Sequence, residues 1–342
     1  MISTMRGLRL TGDRTATMSD YDVPELAPDD ALVRTTMSAI CGSDLPHYRK
    51  PMAELGNRAD TVPGHEAVGV VQELPAGYAR LRVGDRVMAY QHTGDGTCAH
   101  CLRGEPMFCP DRMTLGNHRH GGNAQYLVTP ADSLIAVPDD IEDPLAALIA
   151  CNFGTGYMGL SKTGAGLGDR VVVIGLGPVG SCVVAAAAAQ GCMVIAVDPV
   201  AERRELATRL GASHTIDPMA QDPIAEVRSL TGEGAEVVAE CSANPVAQQQ
   251  AMKCVRIQGT VLLLGANNAM EIDPGIDVIR KELRLFGSWV FKPYEIDAVF
   301  RAARALPGLR ELLTTPFAAQ DAPAALAAAD AGRPGKALVQ WS

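Results

Sequence analysis

The second half of the chain alternates short apolar runs with longer helical segments. Val171–Ile174 is an unbroken run of β-branched residues, which is typical of a strand buried on both faces of a parallel sheet. The Ala-rich stretch Ser181–Gln190 predicts a helix that ends at Gly191, and Met193–Val197 predicts the next strand. Because the alternation continues beyond residue 197, we predict a doubly wound α/β sheet.

The later elements follow the same pattern. We predict further helices at Glu202–Leu210, Pro245–Arg256 and Ala318–Asp330, and further strands at Glu236–Glu240, Thr260–Leu264, Leu283–Phe291 and Ala337–Trp341. The segment at 283–291 is predicted to be an edge strand.

The first part of the chain predicts a different architecture. From Leu8 to about Val87, short alternating apolar runs are separated by Gly, Pro and Asp, which is typical of a partly open β-barrel. The clearest strand candidates are Ala31–Met37, Ala67–Leu74 and Arg86–Tyr90, with a turn at Gly84-Asp85.

Length and composition limit the possible functions. A chain of 342 residues with 47% hydrophobic and 20% charged residues is typical of a two-domain soluble protein. Its net charge of −9 argues against a nucleic-acid partner. We also expect no signal peptide or membrane span, because the longest apolar stretch, Val183–Ala189, is short. Nine cysteines without a secretory signal then favour the cytoplasm.

A glycine-rich turn links the first predicted strand of the parallel sheet to its helix. It is a G-x-G-x-x-G motif, in which we assign cofactor binding to Gly175, Gly177, Pro178, Val179 and Gly180. The three glycines allow a tight turn, close approach of a pyrophosphate, and close packing of helix on strand. Asp198 ends the second strand, where a carboxylate accepts from ribose hydroxyls and repels a 2′-phosphate, so we predict NAD rather than NADP. The alternative is a turn with a purely structural role.

Three distant residues are candidate ligands of a catalytic zinc ion. Cys41, His65 and Cys151 supply two thiols and an imidazole, and three protein ligands with an open position are typical of catalytic zinc. Asp44 and Glu66 are candidate carboxylates in or next to that ligand set. The alternative is a buried thiol and a hydrogen-bonded histidine without a metal.

A second, denser group of cysteines predicts a structural metal. The residues Asp95, Cys98, Cys101 and Cys109 form a D-x2-C-x2-C-x7-C pattern, which can close a tetrahedral site within one loop. His92 and His100 are alternative fourth ligands, and a thiol-rich loop without metal is the remaining alternative.

Together these residues resemble the zinc-dependent alcohol dehydrogenases of the medium-chain dehydrogenase/reductase family over essentially the whole chain. Cys41-Gly42-Ser43-Asp44 is similar to the family's first catalytic-zinc segment, and Gly64-His65-Glu66 to its G-H-E motif. Cys151, followed by Phe153–Tyr157, matches the alcohol-dehydrogenase branch, whereas the polyol branch usually has Glu there.

The resemblance implies a fold, two cofactors and an assembly. It implies a GroES-like catalytic domain at residues 1–151, completed by 289–342, and a Rossmann NAD-binding domain at 152–288. It further implies catalytic and structural zinc ions, a small alcohol or carbonyl substrate, and a homodimer or homotetramer.

The resemblance also implies roles for individual residues. Ser43 would relay the alcohol proton, and Glu66 would transiently approach the zinc. Thr155 would lie against the nicotinamide, Arg203 near the adenosine ribose and Lys336 near the pyrophosphate. Two departures matter: Asp95 replaces a cysteine of the structural site, and His47 stands one place later than the usual relay histidine, which leaves its catalytic role open.

Two other functions fit parts of the pattern. One is a zinc-independent enone or quinone reductase of the same superfamily, and the other is a non-catalytic NAD(H)-binding protein. The substrate itself is not specified, although a 4% content of aromatic residues gives no sign of a bulky planar substrate.

Overall fold

The computed structural model describes residues 2–266 and 268–341. The strands of the described residues are β1 (Thr4–Gly12), β2 (Thr15–Asp22), β3 (Asp30–Ala39), β4 (Ala67–Glu73), β5 (Arg86–Ala89), β6 (His92–Thr93), β7 (Met113–Thr114), β8 (Tyr126–Pro130), β9 (Leu134–Ala136), β10 (Arg170–Ile174), β11 (Met193–Val197), β12 (His214–Ile216), β13 (Ala235–Glu240), β14 (Val255–Leu263), β15 (Arg284–Gly287), β16 (Phe317–Ala318) and β17 (Leu338–Gln340).

The helices are shorter at the beginning of the chain than in its second half. They are α1 (Leu45–Tyr48), α2 (Ala99–Leu102), α3 (Asp143–Leu148), α4 (Gly154–Ser161), α5 (Pro178–Ala189), α6 (Ala201–Arg209), α7 (Pro223–Thr231), α8 (Pro245–Cys254), α9 (Ile296–Ala305) and α10 (Ala322–Asp330). Two π-helical segments lie at Ile149–Phe153 and Pro274–Val278. Single 3-10 turns lie at Gly42–Asp44, Met52–Glu54, Gly56–Ala59, Pro106–Phe108, Ala131–Ser133, Ile279–Lys281, Pro293–Glu295, Pro307–Leu312 and Ala319–Asp321.

A six-stranded parallel sheet forms the second half of the molecule. Its strand order is β12-β11-β10-β13-β14-β15, the doubly wound order in which strands are added first on one side of β10 and then, from β13 onward, on its other side. Val171 and Val173 pack into one core, whereas Val172 and Ile174 pack into another on the opposite face of the sheet. Burial on both faces explains the unbroken apolar run and confirms the predicted fold class for this half.

A seven-stranded, mainly antiparallel sheet forms the other half. Its path is β16-β17-β3-β4-β5-β9, and β8 also pairs with β3. β17 pairs antiparallel with β3, so a strand from the end of the chain lies in the sheet built from its beginning. The predicted barrel-like strands are confirmed, while the proposed boundaries at 151/152 and 288/289 stay predictions.

Several predicted elements have different bounds in the structure. β14 begins at Val255 rather than Thr260, because Val255 is already extended and pairs with Ala235, and this ends α8 at Cys254. β15 ends at Gly287, where its partner β14 also ends. The predicted helix at 318–330 begins only at Ala322, after β16 and a 3-10 turn. The β1–β2 hairpin, β12 and α7 were not predicted individually.

One long helical segment connects the two halves. α3, the π-helical segment Ile149–Phe153 and α4 follow one another without interruption. All five residues of the π-helical segment are buried, and Cys151 lies at its centre. Single π turns inside α-helices occur frequently at functional sites, and this one lies between the two sheets.

Among the helices of the described residues, none combines the length and the apolar character that crossing a membrane requires.

Candidate active site

A buried cluster forms where three segments of the chain meet. Cys41, His65, Glu66 and Cys151 each offer one ligand atom, and these atoms all lie within 4.8 Å of one another. The antiparallel register explains how the segments carrying Cys41 and His65 meet, because Ser38 of β3 pairs with Ala67 of β4. The end of β3 therefore lies beside the start of β4, and the π-helical segment adds Cys151 from the third side.

The two thiols of this cluster contact each other. Cys41 Sγ lies 4.0 Å from Cys151 Sγ. The hydrogen bond from Cys151 lowers the pKa of Cys41 well below its usual value, and His65 acts in the same direction against the effect of burial. The same hydrogen bond and burial raise the pKa of Cys151.

Asp44 holds two of the cluster residues in place. Its Oδ2 accepts the backbone N–H of Cys41 at 3.0 Å, and its Oδ1 lies 3.5 Å from His65 Nδ1. Burial acts to lower the pKa of His65, but the charges of Asp44 and Cys41 outweigh it and raise that pKa well above its usual value. Because Asp44 contacts Nδ1, Nε2 is the nitrogen of His65 that is available to a metal.

Glu66 forms a fully buried ion pair with Lys336. The Lys336 ammonium lies 2.5 Å from Glu66 Oε2 and donates to the carbonyl of Ile40 at 2.8 Å. Burial raises the pKa of Glu66 to about 8, although Lys336 opposes the rise. Glu66 Oε1 has no hydrogen-bond partner within residues 2–266 and 268–341. Lys336 thus lies against the cluster and its ammonium is not exposed to the cleft, an arrangement that could not be predicted from local sequence.

The donor set of this cluster fits a zinc ion. Two thiols and an imidazole are the ligand types that zinc prefers, and a carboxylate oxygen without a hydrogen-bond partner lies next to them. Lys336 supplies one positive charge to the cluster, and two buried thiolates beside Glu66 would require a further cation to balance them.

Two carboxamides that sequence reasoning missed also reach this cluster. Asn152 Nδ2 contacts Cys41 Sγ and Cys151 Sγ, and Gln91 Nε2 contacts Cys151 Sγ. Their only signal in the sequence is the position of Asn152 directly after Cys151.

The second group of predicted ligands also comes together. Ligand atoms of Asp95, Cys98, Cys101 and Cys109 lie within 4.8 Å of one another, whereas His92 and His100 are not part of this group. His92 is buried with its Nδ1 3.0 Å from the Thr114 hydroxyl, and His100 contacts Arg103. We call residues 95–109 the lobe.

Backbone N–H groups support the ligand atoms of the lobe. The N–H of Asp95 donates to Cys109 Sγ at 3.5 Å, and the N–H of Cys101 donates to Cys98 Sγ at 3.5 Å. The backbone N–H groups of Cys98 and Thr97 lower the pKa of Asp95 to about 2. A carboxylate and three thiols fit a zinc ion, but Asp95 is exposed and only Cys109 is fully buried.

The glycine-rich turn has the geometry that its sequence predicts. Gly175 has φ +91°, and a Cβ there would lie 2.6 Å from the Ser242 side chain, while a Cβ on Gly180 would lie 1.9 Å from the Gly175 carbonyl oxygen. By contrast, a Cβ on Gly177 would meet nothing within 4 Å. Gly177 also precedes Pro178, the first residue of α5, so open space lies at the N-terminus of a 12-residue helix. That arrangement fits a dinucleotide pyrophosphate.

A cleft of about 740 Å³ runs from this turn to the other half of the molecule. The parallel-sheet side contributes Gly177, Asp198 and Arg203, and the opposite side contributes Ile40 and Gly42, which flank Cys41. The residues on either side of Cys41 therefore line the cleft that begins at the glycine turn.

Asp198 and Arg203 lie together at one end of the cleft. Asp198 accepts the backbone N–H of Leu176 at 2.8 Å and that of Val200 at 2.9 Å. Arg203 Nη1 lies 3.5 Å from Asp198 Oδ2, and Arg203 Nε donates to the Gly332 carbonyl at 3.1 Å. Arg203 thus bridges the two sides of the cleft.

The remaining predicted site residues differ in their exposure. Ser43 is exposed and His47 is half-buried. Burial and, next, the cation of Arg58 lower the pKa of His47. Thr155 is buried in α4, and its hydroxyl has no hydrogen-bond partner among the described residues. Val179 is half-buried beside the glycine turn.

Comparison with known proteins decides the family. Residues 27–139 match the family "Alcohol dehydrogenase GroES-like domain", and residues 178–305 match "Zinc-binding dehydrogenase". L-threonine 3-dehydrogenase of Symbiobacterium thermophilum is 31% identical over 352 residues, which cover 99% of this chain and 98% of the relative. The chain belongs to the zinc-type alcohol dehydrogenase family. The predicted family is therefore confirmed, and the protein is an oxidoreductase of that family.

Solved structures of zinc-type alcohol dehydrogenases share the fold. An alcohol dehydrogenase from Thermus sp. ATN1 has a TM-score of 0.89 and 29% identity, covering 99% of this chain and 100% of its own. A protein described as a zinc-binding dehydrogenase from Sinorhizobium meliloti 1021, bound to NADP, has a TM-score of 0.85 and 26% identity, covering 99% of each chain. These neighbours confirm the predicted combination of a GroES-like domain with a Rossmann-type domain.

Proposed function

We propose that the protein is a zinc-dependent dehydrogenase that transfers a hydride between a small alcohol or polyol, or the matching ketone or aldehyde, and NAD(H). The observation that carries this proposal is the convergence of Cys41, His65 and Cys151 in a buried cluster beside the cleft. A zinc-independent reductase would not need these three residues to converge.

In this proposal Cys41, His65 and Cys151 hold the zinc ion, and Glu66 lies close enough to approach it. When bound, zinc acts as a Lewis acid that favours loss of the proton from an alcohol hydroxyl near neutral pH. Asp44 orients His65 through Nδ1, and Lys336 holds Glu66 within the cluster. The chain thus fixes its ligands before substrate arrives.

The proton and the cofactor are handled by other side chains. Ser43 is exposed, so its hydroxyl can accept the alcohol proton and pass it to water. The lowered pKa of His47 keeps that imidazole neutral, so we also assign it to this relay as a proton acceptor. The buried hydroxyl of Thr155, which has no hydrogen-bond partner among the described residues, would lie against the nicotinamide.

We assign NAD to the cleft because Asp198 lies at one end of it. Gly175, Gly177 and Gly180 leave room for the pyrophosphate, and Pro178 and Val179 begin the helix that faces it. Asp198 accepts from the ribose hydroxyls, with Arg203 beside it. Lys336 acts on the pyrophosphate in this proposal only if its ammonium leaves Glu66.

The lobe holds a second, structural zinc ion in this proposal, with Asp95 as the fourth ligand beside Cys98, Cys101 and Cys109. We further propose domains at 1–151 with 289–342 and at 152–288, as well as a homodimer or homotetramer. The exposed apolar side chains Ile276 and Ile279, which precede edge strand β15, support an assembly of that kind. Nine free thiols support a cytoplasmic location.

The test is an activity screen on protein of known metal content. Purified protein is analysed for zinc and then assayed with NAD and with NADP over a panel of simple alcohols, polyols and amino alcohols. We expect zinc-dependent turnover that prefers NAD, and Asp198→Ala should weaken that preference. Equal turnover in a metal-free Cys41→Ser variant would overturn the proposal.

A further inference from the structure

Two buried carboxamides place N–H donors against the sulfur atoms of the buried cluster. Asn152 Nδ2 lies 3.8 Å from Cys41 Sγ and 3.9 Å from Cys151 Sγ. Gln91 Nε2 lies 3.9 Å from Cys151 Sγ. The side chains are 1% and 5% exposed, respectively, so water does not compete for these contacts. Cys151 thus receives two amide donors and Cys41 one.

One end of the Asn152 carboxamide contacts the sulfur atoms and the other end has no hydrogen-bond partner among the described residues. A carboxamide has a donor end and an acceptor end, and the acceptor Oδ1 of Asn152 is buried without a hydrogen-bond partner among the described residues. Leaving a buried acceptor unpaired is unfavourable by about 1–3 kcal/mol. In the opposite orientation the carbonyl oxygen of the amide would face the two sulfur atoms, and it would repel them if they were thiolates. In the structure the donor end of the Asn152 amide faces both sulfur atoms.

The backbone brings this amide into the cluster through an irregular segment. Asn152 directly follows Cys151 in the π-helical segment Ile149–Phe153. In a regular α-helix, with 3.6 residues per turn, adjacent side chains point about 100° apart. In this segment both side chains nevertheless reach Cys41 Sγ, one through sulfur and the other through nitrogen.

We propose that Asn152 and Gln91 are positioning residues of the zinc site, which orient the two thiolates and withdraw negative charge from their sulfur atoms. This inference rests on the proposed function, because the thiolates need the metal. A sulfur that shares its charge with an N–H donor gives less charge to the cation, so the cation remains a stronger Lewis acid. Asn152 contacts both sulfurs and should have the larger effect, while Gln91 acts on Cys151 alone.

Cobalt(II) substitution tests this proposal spectroscopically. The charge-transfer absorption from thiolate to cobalt reports the energy of the sulfur electrons, which an N–H donor lowers. Asn152→Leu removes both donors at similar size and should move the absorption of the buried cluster to longer wavelength. Gln91→Met should move it in the same direction by a smaller amount. The thiolates of the lobe contribute equally to every variant, so difference spectra report the buried cluster.

A matched control comes from another buried carboxamide. Gln248 is 3% exposed in α8 and forms no hydrogen bond with Cys41 or Cys151 among the described residues. Gln248→Met should leave the cobalt spectrum unchanged. The rate of zinc release to a chromogenic chelator gives a second readout, which reports how firmly the thiolates are oriented, and we expect it to rise about tenfold in Asn152→Leu and less in Gln91→Met.

The possible results separate this inference from the proposed function. Cobalt spectra that coincide with wild type in Asn152→Leu and Gln91→Met, with zinc release changed less than about twofold, overturn the role of the amides. If thermal melting shows that Asn152→Leu does not fold, Gln91→Met decides alone. The cobalt spectrum of Cys151→Ser is compared with that of wild type. If the two are identical, the buried cluster holds no metal, and the proposed function then fails as well.

Discussion

The two clusters of candidate ligands differ in how the chain builds them. The buried cluster collects Cys41, His65 and Cys151 from segments up to 110 residues apart, inside the core beside the cleft. The lobe collects its ligands within 15 consecutive residues, and its Asp95 is exposed. Tertiary structure therefore preforms the first site, whereas the second depends on the metal for much of its own order. We expect loss of the first metal to remove chemistry and loss of the second to reduce stability.

The largest expected effect follows from removing a ligand of the buried cluster. Cys151→Ser should lower zinc-dependent alcohol turnover about a thousandfold or more, because a Lewis acid contributes several kcal/mol to the transition state. Metal analysis should show that the buried zinc is lost and that of the lobe is kept. Thermal melting is the control, since Tm should fall only slightly. Retained turnover would contradict the assignment of the chemistry to the buried cluster.

The next effect concerns the lobe. Cys98→Ser should lower the free energy of unfolding by about 2–4 kcal/mol, similar to the loss of a covalent cross-link. Turnover per buried zinc should change less than about tenfold, because the lobe ligands lie outside the cleft. Chemical denaturation and initial-rate assays on the same preparation check both numbers. A thousandfold loss of turnover at unchanged stability would contradict the division of roles.

The departure at Asp95 offers a variant that sharpens the comparison. Asp95→Cys supplies a fourth thiolate, and we expect zinc release from the lobe to slow about tenfold, because thiolates are softer and stronger ligands for this ion than a carboxylate. The kcat for alcohol oxidation should not change. Chelator competition measures the release, and Asp111→Cys, outside the ligand group, serves as the control. Faster release in Asp95→Cys would show that the aspartate is the better ligand at this position.

The smallest effect concerns the attachment of the lobe to the rest of the molecule. Lys292 Nζ lies 2.6 Å from Glu105 Oε1, and this contact lowers the pKa of Glu105. A lowered pKa means that the stabilisation is present above the ordinary glutamate pKa of about 4 and is lost as the pH falls below it. Lys292→Met should therefore lower Tm by about 1 °C at pH 7. The difference from wild type should shrink as the pH falls below about 4, whereas a difference that grew in acid would contradict this assignment.

Local patterns predicted the parts of the fold that have a local cause. Val171–Ile174 is apolar on every residue because both faces of β10 are buried, and that can be read from the residues themselves. The bounds of β14 could not be read, because they depend on the pairing of Val255 with Ala235, which is a tertiary contact.

The same division applies to the site. The residue types of Cys41, His65 and Cys151 indicate a metal site, so their convergence could be predicted from ligand chemistry and from the family resemblance. Gln91 and Asn152 could not be found in this way, because amides occur throughout a protein surface and only the fold brings these two to sulfur. Lys336 was expected near a pyrophosphate, and only the coordinates show it buried against Glu66.

The pairing of β17 with β3 has a consequence for biosynthesis. Lys336 reaches Glu66 only when the strand that follows it has joined the sheet begun some 300 residues earlier. The parallel sheet, made from residues 170–287, can form during synthesis, but the Lys336–Glu66 pair cannot form until β17 has emerged from the ribosome. A polypeptide that lacks this strand would therefore keep Cys41, His65 and Cys151 but leave the carboxylate of Glu66 without the ammonium that pairs with it.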